Sequence, residues 1–70
     1  MTNAAMTAAA TEIVSFAELH DGKERVTEIA TYGFKGELTN ELGFPVTNPD
    51  ERFEFLNAIQ DHAKSIAAGF

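Results

Sequence analysis

The segment that most restricts how this chain can fold is its last third, where one helix is spelled out from its first residue to its end. Asn48 is a residue type that accepts from the free N–H groups of a first helical turn, Pro49 suits the first helical position, and Glu51 follows Asn48 by three residues. Asp50 and Glu51 also suit the positive end of the helix dipole. At about 100° per residue, Phe55, Leu56, Ile59, Ala63, Ile66, Ala67 and Phe70 gather on one arc, and Gly69 marks the end. The spacing predicts a helix over about 49–68 whose apolar arc faces the core. Whatever else the chain does must give that arc something to pack against.

The rest of the chain has little material for the task. Seventy residues make one domain, and a domain of this size buries only about 60% of the surface of its unfolded chain. There is no cysteine, so neither a disulfide framework nor a thiolate metal site can hold it. The hydrophobic fraction of 44%, with six Phe and one Tyr, is still too apolar for a disordered acidic tail. A folded body is expected over 11–70, preceded by a flexible tail over 1–10, frayed or weakly helical, made almost wholly of Ala, Thr, Asn and Met. Because Ala is the best helix former, the alternative for that tail is an added turn leading into Glu12, and Met6 is a second candidate start.

The middle of the chain carries two conflicting periods. Thr11 to Leu19 and Arg25 to Tyr32 are rich in β-branched and aromatic residues, and Asp21-Gly22 between them is a strong hairpin signal with positive φ at the turn. Against this, Val26, Ile29, Ala30 and Phe34 recur at helical spacing, as do Ile13, Phe16, Ala17 and His20. The β propensity of Val, Thr, Ile and Tyr favours strands, and Gly33 and Gly36 would cut a helix short. The expected fold is therefore α+β: a β-hairpin or three-stranded antiparallel sheet, its third strand near Phe34 to Leu38, packed on one C-terminal helix. The alternative is an all-α three-helix bundle. Phe44 and Val46 are expected to anchor the loop before the helix, and Pro45 keeps that loop from being a central strand.

Chemistry is marked only by charge. Eleven Asp and Glu against five Lys and Arg give a formal net charge of −6, which repels nucleic-acid phosphates and anionic lipid and favours encounter with basic surfaces. The chain therefore does not read as a direct binder of DNA or RNA. His20 and His62 lack metal-ligand spacing, Gly33, Gly36 and Gly43 form no phosphate loop, and no nucleophile stands with a base. No catalytic, cofactor or metal residues are assigned, and the chain reads as a non-enzyme.

On the face of the C-terminal helix opposite the apolar arc, Asp50, Glu54, Asn57 and Asp61 share a narrow band. Carboxylates there would stand about 6 and 10 Å apart along the axis, spacings of the order of successive phosphates. The plainer account is a solvated acidic face that keeps a small protein soluble. Phe53 falls beside this band, either covered by the Phe44-Pro45-Val46 loop or serving as an aromatic anchor for a partner. Glu24 and Glu28, interrupted by Lys23 and Arg25, and Glu37 and Glu41, beside the glycine-rich loop, complete the candidate partner-binding set. No run of about 20 apolar residues and no basic leader is present, so the chain reads as soluble and cytoplasmic.

In size, charge and surplus of aromatic residues, the chain resembles the small acidic host-takeover proteins of bacteriophages, of which the anti-CRISPR proteins are one group. The resemblance rests on no motif. It implies an inhibitor in the host cytoplasm that binds a Cas protein or complex and blocks its basic nucleic-acid channel. From a different class, the Phe55 to Phe70 arc would suit a small structural or assembly subunit that homodimerises through its C-terminal helix, a contact that replacing Phe55 and Ile59 would break.

Overall fold

A computed structural model of the chain describes residues 3–35 and 48–70. Among these residues there are two helices, α1 (Asn3–Tyr32) and α2 (Pro49–Ala67), and no strand. The architecture is all-α, so the expected α+β fold with its hairpin or three-stranded sheet is overturned in favour of the helical alternative. The start of the expected third strand, Phe34 and Lys35, is not extended sheet, and the remainder of it lies outside the described residues.

The reason lies in which period collects the apolar side chains. As a strand, Arg25 to Tyr32 would place Glu28 between Val26 and Ala30 on one face and Arg25 and Thr27 beside Ile29 on the other, so neither face is apolar. As a helix the same residues put Val26 and Ile29 together, both fully buried, with Ala30 and Phe34 packed against them. The propensity of β-branched residues is a weak preference that packing overrides. Upstream, the alanine-rich start supplies strong helix formers, and from Asn3 onward the segment expected as a frayed or weakly helical tail is continuous with α1. Met6, Ala9 and Ala10 are buried with Ile13, Val14 and Ala17.

Asp21-Gly22 does break the chain, but between two helical limbs rather than two strands. Gly22 has φ 77° and ψ −170°, a region open essentially to glycine alone, and it is the one non-helical position inside α1. Thirty residues of unbroken helix would reach about 45 Å. The longest dimension of the molecule is 32 Å, so the kink turns the second limb back. In effect α1 provides two of the three rods of a small bundle. It ends at Gly33, also at positive φ (88°), whose N–H donates to the Ile29 carbonyl at 2.8 Å.

α2 packs against both limbs. Its face of Phe55, Ile59 and Ala63 is buried, with Ala58 and Ile66 packed at the margin. Toward the second limb, the Gln60 side-chain amide donates to the Ala30 carbonyl at 3.2 Å. Toward the first, Ala58, Asp61 and His62 lie beside Thr7 and Ala10. Leu56, Ile66 and Ala67 are only half-buried and Phe70 is exposed, so the buried arc is narrower than the pattern suggested. No helix among the described residues is long and apolar enough to cross a membrane.

Candidate partner-binding surface

α2 holds its surface residues in place from both ends of the helix. The Asn48 side chain accepts from the Asp50 N–H at 2.9 Å and from the Glu51 N–H at 3.4 Å, satisfying donors that the helix cannot satisfy internally. At the other end, Ala68 N–H reaches the Lys64 carbonyl at 3.0 Å, and Gly69 and Phe70 close tighter turns on Ile66 and Ala67. Gly69 thus ends the helix without a left-handed conformation. Between these ends, burial of Phe55, Ile59 and Ala63 fixes the rotation of the rod.

Fixed in this way, Asp50, Glu54, Asn57 and Asp61 all stand exposed on the opposite side, as the spacing predicted. Helical geometry sets Asp50 and Glu54 about 6 Å apart along the axis and Glu54 and Asp61 about 10 Å apart. No Lys or Arg falls in this band between Asp50 and Asp61; Lys64 stands just beyond it. The ridge borders two shallow open depressions between α2 and the start of α1. One, of about 350 Å³, is lined by Met6, Thr7, Glu54, Asn57, Ala58 and Asp61. The other, of about 340 Å³, shares Thr7, Ala58 and Asp61 and adds Ala10 and His62.

Phe53 is 69% exposed at the edge of the ridge. The loop expected to cover it, 44–46, lies outside the described residues, as do Glu37 and Glu41. Glu24 and Glu28 are exposed on the second limb of α1 and line neither depression. Glu28 is paired with Arg25 one turn earlier, which offsets part of its charge. The candidate residues therefore divide into a continuous ridge on α2 and a separate, partly neutralised pair on α1.

Aromatic rings beside cations form a feature that charge counting passed over. The Lys23 ammonium lies 5.2 Å from the centre of the Phe70 ring, Arg25 lies 5.8 Å from that of Phe34, and Lys35 lies 5.5 Å from that of Tyr32. Three of the five basic residues are thus placed over rings, a contact worth roughly 0.5–1 kcal/mol at exposed sites. His20 lies with its ring 4.2 Å from that of Phe16, inclined at 43°. The contact with Lys23 brings the end of the chain next to the kink. Sequence spacing could not have found it, because 47 residues separate the two partners.

No family model, curated protein or solved structure matches the chain.

Proposed function

We propose that this chain is a non-enzymatic, stoichiometric inhibitor that sets the acidic ridge of α2 against a Lys/Arg-lined, nucleic-acid-binding surface of a protein partner. The observation that carries the reading is the exposure of Asp50, Glu54 and Asp61 along one face of a helix whose opposite face is locked in the core. A row of carboxylates on a rigid rod approaches a basic groove without first being ordered, so it loses little side-chain and backbone freedom beyond that of the carboxylates themselves. Phe53, exposed beside the row, supplies an aromatic contact at its edge. A CRISPR-Cas effector complex is the partner class to which the resemblance in size and charge points.

The experiment mixes the protein with nucleic-acid-binding effector complexes and follows DNA binding at low and at high salt. Displacement of DNA at low salt, weakened at high salt and lost on combining Glu54→Lys with Asp61→Lys, is the expected result. Absence of displacement at low salt from every complex tried would sink the proposal. Homodimerisation through the Phe55 to Phe70 arc of α2 is less well supported, because Phe55, Ile59 and Ala63 at its centre are 1%, 0% and 0% exposed within a single chain.

A further inference from the structure

The first limb of α1 has a second face that the core does not use. Leu19 is 81% exposed and Phe16 is 55% exposed. Three residues apart on a helix, they are neighbours. Projected along the limb they continue the line of Ala8 and Glu12, at successive spacings of four, four and three residues, and Ala8 and Glu12 are exposed as well. This stripe is about 16 Å long, small at its start and large at its end. Leu19 and Phe16 form a contiguous pair of exposed apolar side chains, Phe16 resting against the His20 ring, in a chain whose other apolar residues are needed for a thin core.

Charge indicates what can cover it. Residues 3–21 contain Glu12, Glu18 and Asp21 and not one Lys or Arg. A symmetric contact between two copies of this limb presents the same acidic patch from both sides, so Glu12, Glu18 and Asp21 of each copy would face a surface with no Lys or Arg to pair them. A partner carrying cations meets the opposite situation. We propose that the stripe Ala8, Glu12, Phe16 and Leu19 is a docking surface for an amphipathic helix of another protein. That helix presents aliphatic side chains at three-four spacing to Phe16 and Leu19 and flanking Lys or Arg to Glu12 and Glu18. Ala8 leaves room for the two backbones to approach closely at one end, and Leu19 supplies the apolar anchor at the other. The surface lies on other residues than the acidic ridge of α2 and stands or falls separately from it.

The test uses the whole chain and a synthetic two-heptad peptide with leucine at three-four spacing and lysine elsewhere. A shuffled peptide of identical composition controls for bulk charge. Peptide binding is followed by amide chemical shifts and titration, and the protein alone is examined by sedimentation. The expected result is a monomer that binds the patterned peptide at least about tenfold tighter than the shuffled one, with shifts centred on the first limb. Leu19→Ser should abolish that preference while leaving the melting curve unchanged, since the side chain is outside the core. Equal binding of the two peptides, or an unaltered preference in Leu19→Ser, overturns the proposal. So does a dimer of the protein alone that Leu19→Ser dissociates, because a second copy would then be the occupant.

Discussion

The two helices supply opposite sides of one core, yet they are delimited by different chemistry. α2 begins on an Asn side chain that accepts two backbone N–H groups and ends in short turns, so each boundary is marked by hydrogen bonds. α1 passes through its most important feature, the kink, on a residue with no side chain, and a Cβ added at Gly22 would meet nothing within 4 Å. The boundary of α2 is thus a gain in bonding, whereas the bend of α1 is permission to adopt a backbone conformation. A cap can be replaced at moderate cost because other acceptors, water included, can take its place. A glycine-only conformation has no such substitute.

The most damaging change should be one that removes the surface shared by both helices. Phe55 is among the largest fully buried side chains, and Phe55→Ala is expected to cost about 3–5 kcal/mol. In a domain this small that is most or all of the stability, so urea unfolding followed by circular dichroism should show both helices lost in one transition. Separate melting of α1 and α2 would show that the limbs of α1 hold each other without α2.

Next in size is Gly22→Ala. With open space around the position, its expected cost of about 1–3 kcal/mol is purely that of the backbone conformation. A chain synthesised with D-alanine at position 22 separates this from packing: its preferred dihedrals mirror those of an L residue, so it should fold as stably as glycine or slightly better. If D-alanine is as damaging as L-alanine, the bend is set by contacts and the contrast between the helices disappears.

These two sites also mark what could be read from the sequence. α2 was legible because its cap, its proline and its apolar arc all agree, and with its rotation the acidic ridge followed directly. At Asp21-Gly22 the break and the positive φ of Gly22 were legible, but the positive φ expected of Asp21 in a type I′ turn is absent, and what lay on either side was not legible. A dipeptide states that the chain turns, and only the period of the flanking apolar residues states what it connects. Val26, Ile29 and Ala30 carry that information at helical spacing, against the β-branched content of the same segment. The burial of Met6, Ala9 and Ala10 was hidden because alanine is small enough to read as filler, yet it is what lets two helices approach closely. The exposure of Phe16 and Leu19 was hidden for the opposite reason, since large apolar residues are assigned to a core by default.

Asn48→Ala should cost about 1 kcal/mol, less than the change at Gly22. Thermal unfolding with the two variants side by side would check the ranking. Asn48→Asp keeps an acceptor and should recover most of the loss. A cost at Asn48 equal to that at Gly22 would mean that the cap also fixes the chain entering α2, in which case the two boundaries would be of one kind.

The smallest expected effect is at Glu28, and it tests whether charges matter to the fold of either helix. Its pair with Arg25 spans one turn of the second limb, with side chains 48% and 22% exposed respectively, so solvent screens it and Glu28→Gln should change stability by no more than about 0.5 kcal/mol. The ridge carboxylates Glu54 and Asp61 are exposed on α2 with no cation in their band, and their removal should be as small or slightly stabilising, because the chain carries a net charge of −6. Urea midpoints at low and at high salt distinguish the two cases. Salt should reduce what little the Arg25 pair contributes and should stabilise the native protein by screening its self-repulsion, a gain that shrinks once Glu54 and Asp61 are neutralised. If neutralising the ridge instead destabilises the protein at low salt, those carboxylates are holding α2 in place, and their loss would impair binding through the fold rather than at the surface.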